Sequence, residues 1–146
     1  ALAGSARAGG TLSLGPVRNV RELGGSNFAD VLDARELVVE HVIGFERGSD
    51  RLDRDDVVLI DDVLERFDPD TDLIAVTGYS SGGVAGAEHN RGMALRRARR
   101  VKGALTAVGV PHERVLTEGY WSDVLPAEAV PGRAAVVRLS RRASPS

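Results

Sequence analysis

A strand, a glycine-rich break and a long amphipathic segment follow one another in the middle of this chain. Residues 73–79 are rich in β-branched side chains and predict a strand. Residues 80–86 contain three glycines and predict a loop. From about residue 90 to 108 apolar residues recur at helical spacing, and Gly109 with Pro111 predicts where that helix ends. This order favours a fold in which a helix packs on a sheet.

Three further strands and a second helix complete the pattern. Residues 37–45 predict an earlier strand, and residues 114–120 and 134–139 predict two later ones. Asp53 is an N-cap candidate for a helix that the turn at residues 68–70 stops. The predicted fold is an α+β sandwich of order β-α-β-α-β-β, with two helices packed on one mixed sheet. The predicted core positions on the helices are Val57, Ile60, Leu64, Met93, Val101 and Leu105.

The chain length and local composition predict one domain with two appendages. A chain of 146 residues, 42% of them hydrophobic, is long enough for one buried core and too short for two. We expect residues 1–36 to be a partly flexible N-terminal extension, residues 37–142 the folded domain, and residues 143–146 a flexible tail. Within the extension, the sequence shows Leu-x-Leu alternation at residues 12–14, a Gly-Gly-Ser break at 24–26 and a helical turn at 27–34.

Composition excludes several classes of function. The formal net charge of −2 gives no basic field, so we expect no nucleic-acid partner. The chain has no cysteine, which removes disulfides, thiolate catalysis and cysteine-based metal sites. No apolar run is long enough to span a bilayer. The histidines at positions 41, 89 and 112 lack metal-ligand spacing with carboxylates, so we predict no metal site and no cofactor.

One short motif suggests an enzyme. Gly78-x-Ser80-x-Gly82 fits the nucleophile elbow of serine hydrolases, in which the serine sits on a sharp strand-to-helix turn. The triad order of those enzymes is serine, acid, histidine, but no histidine follows Asp123 and the only acid between Ser80 and His112 is Glu88. We therefore expect Ser80 to be a turn residue without a base in reach, and we expect the protein not to be an enzyme.

A second set of motifs covers most of the chain. Residues 45–52 have the spacing F-x-x-x-S-x-x-L, and residues 78–81 (Gly-Tyr-Ser-Ser) stand where a G-[HY]-T-D turn would follow the strand. Residues 119–126 and 132–135 match the later G-x-G-x-x-x-P and N-R-R-V segments loosely. The helix pattern N-x-x-L-S-x-x-R-A-x-x-V-x-x-x-L-x-x-x-G is matched by Asn90, Met93, Ala94, Arg97, Ala98, Val101, Leu105 and Gly109. On these motifs, residues 38 to about 139 resemble the OmpA-like peptidoglycan-associated domains.

The resemblance implies a ligand and its binding residues. In that family, the aspartate of the turn and the arginine of the helix hold the two ends of the diamino acid in a peptidoglycan stem peptide. A carboxylate meets the ammonium, and a guanidinium grips the carboxylate. Transferred to this sequence, the ligand-binding residues are Ser81, Asn90, Arg97 and Arg133. Asn90 also has the residue type of a helix N-cap.

Ser81 stands where the family has its aspartate. A hydroxyl accepts a hydrogen bond from an ammonium but does not neutralise its charge, so we expect weakened peptidoglycan binding. The resemblance therefore implies a non-catalytic module of the bacterial cell envelope, facing the periplasm or cell wall. An alternative is a protein-protein assembly domain of an envelope machine such as a motor, pilus or secretion complex. In that case residues 11–36, with Tyr120 and Trp121, would contact the partner protein.

Overall fold

The computed structural model describes residues 18–22, 35–81, 86–122 and 132–142 of the chain. After a first strand, the elements follow the predicted order β-α-β-α-β-β, with two helices on one mixed sheet. The predicted fold class is therefore confirmed. The strands are β1 (Arg18–Glu22), β2 (Arg35–Gly44), β3 (Asp72–Ser81), β4 (Val115–Ser122) and β5 (Arg133–Arg142), and the helices are α1 (Arg54–Arg66) and α2 (Gly86–Ala107), with a 3-10 turn at His112–Arg114.

Strand β3 is the centre of the sheet. The strand order is β1-β4-β3-β5-β2, so β3 lies between the parallel strand β4 and the antiparallel strand β5. Among the described strands, β1 and β2 form the two edges, and each is antiparallel to its neighbour. Every residue of β3 except Leu73 and Ser81 is buried. A central strand buried on both faces explains why this part of the sequence is a nearly continuous apolar run.

Strand β1 is an addition that the sequence pattern did not predict. It pairs with β4, with Val20 opposite Gly119. Its sequence, Arg-Asn-Val-Arg-Glu, has a single apolar residue, so no hydrophobic alternation marks it. Part of the predicted N-terminal extension therefore belongs to the sheet. The alternation predicted at residues 12–14 and the turn predicted at 27–34 lie outside the described residues.

Helix α1 begins where the sequence predicts but turns a different face to the core. Asp53 is the N-cap: its carboxylate accepts the Asp56 N–H at 3.0 Å, and the Asp56 carboxylate accepts the Asp53 N–H at 2.9 Å. This reciprocal capping holds Asp56 on the inner side, so the buried stripe is Asp56, Ile60 and Val63. Val57 is 48% exposed, and its predicted place in the core is wrong. Leu64 is half-buried and packs at the margin of the core.

Helix α2 ends as predicted and begins earlier. Gly109 has a left-handed φ of +116°, its N–H donates to the Thr106 carbonyl at 3.1 Å, and the Val110 N–H donates to the Leu105 carbonyl at 3.1 Å. These two bonds form a Schellman C-cap, which confirms the role predicted for Gly109. The helix starts at Gly86, four residues before the predicted Asn90. The glycines favoured a longer loop in the prediction, but only residues 82–85 separate β3 from the helix.

The buried face of α2 accounts for most of the helix motif found in the sequence. Met93, Ala94, Ala98, Val101 and Leu105 are all less than 5% exposed. The predicted burial of Ile60, Met93, Val101 and Leu105 is confirmed. Together with strands β2 to β5, these helix residues enclose the core, whose strand residues include Ile43, Ile74, Val76, Val115, Val137 and Leu139.

Removing the side chain of Leu105 should open a cavity between α2 and the sheet. Leu105 is fully buried in the core cluster, and its carbonyl also accepts the capping bond from Val110. We expect Leu105→Ala to lower the free energy of unfolding by about 2–5 kcal/mol. Urea denaturation measures this difference, with the exposed Val108→Ala as control. A loss below about 0.5 kcal/mol would show that this face of α2 is not packed as described.

A buried carboxylate lies at the end of the sheet where β3 begins. Asp72 is fully buried and forms a bidentate pair with Arg141 on β5, with N–O distances of 2.8 and 2.9 Å. It also accepts the Asp68 N–H at 2.9 Å and the Thr71 hydroxyl at 2.8 Å. Burial alone would raise the pKa of Asp72, but the hydrogen bonds from Arg141, Asp68 and Thr71 outweigh it and hold the pKa below its usual value.

This arrangement predicts a specific acid sensitivity. Because the folded-state pKa of Asp72 lies below the usual 3.8, the carboxylate contributes stability above that pH and loses it as the pH falls through the lowered pKa. Asp72→Asn should cost about 1.5–3 kcal/mol near pH 7, and the difference from wild type should shrink below about pH 4. Urea titrations across pH measure it, with the exposed Asp70→Asn as control. A difference that stays constant down to pH 2 would contradict this role.

Candidate functional site

The last two residues of β3, Ser80 and Ser81, are serines in different environments. Ser80 was expected in a turn, but it lies within the strand, is 5% exposed and faces α2. Its hydroxyl donates to Oδ1 of Asn90 at 2.8 Å. The prediction of a turn fails because β3 continues through Ser81, which pairs with Ser122 of β4. An amide oxygen takes up no proton at neutral pH, so this contact does not activate Ser80 as a nucleophile.

Ser81, at the tip of β3, has a backbone partner but an unused side chain. Its N–H donates to the Gly132 carbonyl at 3.1 Å. Its hydroxyl oxygen is buried and has no hydrogen-bond partner within the residues that the structure describes. A buried hydroxyl without a partner costs about 1–3 kcal/mol, so native proteins usually satisfy it. Ser81 therefore presents an unused hydrogen-bonding group at the end of the central strand.

Asn90 joins the helix to the strand end. The side chain is 3% exposed and lies inside α2, four residues after the helix begins. The predicted N-cap role is therefore wrong, since an N-cap residue precedes the first helical turn. The helix begins earlier than the prediction placed it, and Asn90 instead contacts Ser80 through its amide oxygen. Asn90 thus fixes the distance between α2 and the tip of β3.

Arg97, two turns further along the same face of α2, is held by main-chain carbonyls. Its Nε donates to Ser49 O at 2.9 Å, one terminal nitrogen donates to Tyr79 O at 2.9 Å, and the other donates to Glu46 O at 3.2 Å. The guanidinium carbon lies 5.2 Å from the centre of the Phe45 ring, a cation-π distance. Arg97 is 1% exposed. Arg97 is therefore not a solvated surface arginine of the helix.

The segment after β2 supplies most of these partners. Phe45 and Ser49 are the first and fifth residues of the F-x-x-x-S-x-x-L motif, and Gly48, with φ of +67°, makes the turn between them. The turn is closed by the Ser49 N–H donating to Glu46 O at 3.1 Å. The sequence pattern marked this segment without showing its role. In the structure it wraps the guanidinium of Arg97, a contact that residue spacing alone did not predict.

The charge around Arg97 is unbalanced. Burial, and after it the nearby Arg133 guanidinium, lower the pKa of Arg97 to about 10, while Asp50 acts in the opposite direction. No carboxylate forms an ion pair with Arg97 within residues 18–22, 35–81, 86–122 and 132–142. Arg133 itself is exposed and lies opposite Ser80 in the β3–β5 register. Two guanidinium groups thus share one region, and the carboxylate that acts on Arg97 there, Asp50, forms its ion pair with Arg100 instead.

The structure brings all four predicted ligand-binding residues to the same end of β3. Ser81 is the tip of the strand, Asn90 bonds to the residue before it, Arg97 bonds to the carbonyl of Tyr79, and Arg133 pairs with Ser80. Their arrangement is a hydroxyl at the strand tip, a buried cation below it and an exposed cation at the side. Such a set suits a ligand that carries carboxylate groups.

The described residues show neither a membrane-spanning helix nor a metal cluster. Of the helices, none is both long and apolar enough to cross a bilayer. The described His, Asp and Glu side chains include no group of three placed to hold a metal ion. His41, on β2, instead forms a 2.7 Å contact with Asp62 of α1.

The fold and these motifs place the chain in a family. A family model described as the OmpA family matches residues 44–135. The chain belongs to the OmpA family. The match covers the Arg97 wrapping segment, both helices, the tip of β3 and the start of β5, which are the elements that build the site. No curated protein matches the chain significantly.

Solved structures with this fold come from several bacteria. The OmpA-like domain of FopA1 from Francisella tularensis superposes with a TM-score of 0.59 at 17% identity, covering 74% of this chain and 80% of that one. The periplasmic domain of MotB from Helicobacter pylori gives 0.51 at 17% identity, covering 69% and 71%. The cell wall anchor of the T6SS from Pseudomonas aeruginosa gives 0.50 at 18% identity, covering 80% and 93%. At these identities the likeness shows a shared fold.

Proposed function

We propose that this domain binds peptidoglycan stem peptides without covalent chemistry, with an affinity weakened by the serine at position 81. The observation that carries the proposal is the unbalanced charge at the end of β3. Arg97 is buried with no carboxylate partner among the described residues, and Arg133 adds a second cation beside it. A carboxylate of the ligand would neutralise this charge in a poorly solvated place, where such pairing is strong.

Ser81 would meet the other end of the ligand. Its buried hydroxyl has no described partner, so it can accept a hydrogen bond from the ammonium of a diamino acid. A hydrogen bond between a neutral hydroxyl and an ammonium contributes less binding free energy than an ion pair between a carboxylate and an ammonium. Replacing a contact of about 1.5–3 kcal/mol with one of about 0.5–1.5 kcal/mol lowers the affinity about tenfold.

The solved structures support the compartment in this proposal. One of them is a periplasmic domain of MotB, and another is the cell wall anchor of a T6SS. We infer that this chain likewise works in the bacterial cell envelope, facing the periplasm or the cell wall. Its role would be non-covalent attachment to peptidoglycan rather than catalysis of a reaction.

Restoring the carboxylate at position 81 tests the site directly. Ser81→Asp should strengthen the binding of a stem peptide containing a diamino acid by about tenfold, because an ion pair replaces a neutral contact with the ammonium. Calorimetric titration into wild type and variant measures the change. A stem peptide whose side-chain ammonium is acetylated serves as the control ligand and should show no gain.

Arg133 provides the second arm of this test. Its side chain is exposed, so Arg133→Ala should leave the fold intact while removing one cation from the site. In the Ser81→Asp background it should cancel much of the gain. Arg97→Ala is unsuitable here, because Arg97 also holds three main-chain carbonyls. If Ser81→Asp binds the peptide no better than wild type, the peptidoglycan proposal fails in this form.

A second candidate function is favoured by the engagement of Arg97. All three guanidinium nitrogens already donate to main-chain carbonyls, so the group has a structural role without any ligand. A domain in which Arg97 stabilises the fold and Ser81 replaces the ligand-binding aspartate of the family can serve as an assembly domain of an envelope machine without binding peptidoglycan. Sedimentation with intact peptidoglycan sacculi separates the two, since only the first function predicts co-sedimentation of the wild type.

A further inference from the structure

The two helices carry opposite charge. Helix α1 has five acidic side chains and two basic ones, and its exposed acids include Asp55, Asp61 and Glu65. Helix α2 has one acid, Glu88, in its entire length. Its basic side chains are Arg91, Arg96, Arg97, Arg99, Arg100 and Lys102. Because the helices lie on one face of the sheet, that face is divided into an acidic and a basic half.

The basic half contains a groove. It lies between α2 and the segment before α1, has a volume of about 500 Å³, and is lined by Leu52, Gly103 and Ala104. The guanidinium-bearing residues along it are Arg96, Arg99 and Arg100, and the last of these pairs with Asp50 at 3.3 Å. Its lining thus combines a small apolar area with a cationic border, which suits an apolar side chain surrounded by acids.

The acidic half offers a surface of that kind. Val58 of α1 is 64% exposed, and its neighbour Val57 is 48% exposed. Asp55 and Asp61 lie three residues on either side of Val58, so they share its face of the helix. The outer face of α1 is therefore an apolar centre flanked by carboxylates. It is complementary in charge and polarity to the groove along α2.

The topology allows both contacts to form at once between two copies. Strands β2 and β3 both run antiparallel to β5 and so point the same way, while β4 runs parallel to β3. Each helix leads from the end of one of these strands to the start of the next, so α1 and α2 run in the same direction. A two-fold axis parallel to the helices places α1 of each copy on α2 of the other, which is a closed, isologous arrangement.

We propose that the helical face is a self-association surface, in which the acidic face of α1, centred on Val58, docks into the α2 groove of a second copy. A second copy fits the observations better than an anionic polymer does. A highly charged polymer has no apolar group to place against the apolar lining of the groove. The nearby acids of α1 would also repel its negative charge. None of the four residues of the candidate site lines the groove, so this inference does not depend on the proposed ligand.

Charge reversal of each face gives a strict test on the full chain. One variant reverses the acidic face (Asp55→Arg with Asp61→Arg), and another reverses the basic face (Arg96→Glu with Arg100→Glu). In either variant alone, both docking contacts of a homodimer bring like charges together. In an equimolar mixture, each contact of the heterodimer again joins opposite charges. Sedimentation equilibrium should show a dimer for wild type, at least tenfold weaker association for each variant alone, and recovery in the mixture.

Salt and a control variant complete the experiment. Raising the salt from about 0.1 M to about 1 M shortens the Debye length from about 10 Å to about 3 Å, and should weaken the dimer. Glu113→Arg, which reverses an exposed charge outside both faces, should dimerise like wild type. A wild type that stays monomeric at about 1 mM, or a dimer that neither reversal weakens, overturns the proposal. So does a wild-type monomer whose groove binds polyphosphate, since that outcome assigns the groove to a polyanion.

Discussion

Gly78→Ala should destabilise the domain by about 4 kcal/mol or more, or prevent folding. A Cβ atom at position 78 would lie 1.9 Å from the carbonyl oxygen of Ala94 and 3.0 Å from the Ala98 nitrogen. Both neighbours are backbone atoms of α2, so no side-chain rotation relieves the clash. The whole helix would have to move away from the centre of the sheet, which would open the core below Ala98 and Val101.

Two other glycines make this a graded experiment. Gly119 faces Gly78 in the β3–β4 register, and a Cβ there would lie 3.2 Å from the Ala94 Cβ. That contact is tight but not impossible, so Gly119→Ala should cost about 1–3 kcal/mol. Gly103, on the outer side of α2, has nothing within 4 Å, and Gly103→Ala should stabilise by about 0.5–1 kcal/mol. Urea denaturation should give this order. A Gly78→Ala variant as stable as wild type would show that α2 does not lie against β3 at Ala94.

Gly78 also shows where a short motif misled. In the G-x-S-x-G pattern it would serve a sharp turn around Ser80, but here it lies within β3, where the helix backbone approaches closely. The pattern records only residue types at fixed spacing, and a close helix-strand contact selects the same glycine as a tight turn. The longer helix motif was a better guide. It has more positions, and the structure places all of them except Gly109, the C-cap glycine, on one buried stripe of α2.

The parts of the fold that the sequence predicted are those with a local physical signal. The Asp53 cap and the Gly109 cap each follow from residue type and a short backbone motif, and both are as predicted. The register of α1 did not follow from hydrophobicity, because Asp56 takes an inner position that Val57 was expected to occupy. Strand β1 pairs through its backbone with little apolar pattern, so no side-chain periodicity marked it.

The sequence named four candidate residues that the structure places close together, but it did not predict how they are bonded. The four residues named from the family motif do meet at the end of β3, which the fold explains. That Ser80 would bond Asn90, or that Arg97 would bond the carbonyls of Glu46 and Ser49, depends on contacts between segments up to 51 residues apart. Sequence spacing within one element carries no information about such contacts.

Arg97→Ala should lower the free energy of unfolding by about 3–5 kcal/mol. The substitution removes three hydrogen bonds from a cation to main-chain carbonyls, and it leaves a cavity beside Phe45. Against this, it relieves the burial of a charge, which the lowered pKa of Arg97, about 10, shows to be unfavourable. The loss should dominate, because the carbonyls of Glu46, Ser49 and Tyr79 would each need a new donor.

Two further variants distinguish the effect of the guanidinium hydrogen bonds on stability from the effects of the positive charge and of side-chain volume. Arg97→Lys keeps the charge but cannot reproduce a planar fork that reaches three carbonyls, so it should recover less than half of the loss. Arg96→Ala removes the exposed neighbouring arginine and should stay within about 0.5 kcal/mol of wild type. Urea denaturation measures all three variants. If Arg97→Ala costs less than about 1 kcal/mol, these bonds contribute little to the fold, and Arg97 would then be retained for a ligand alone.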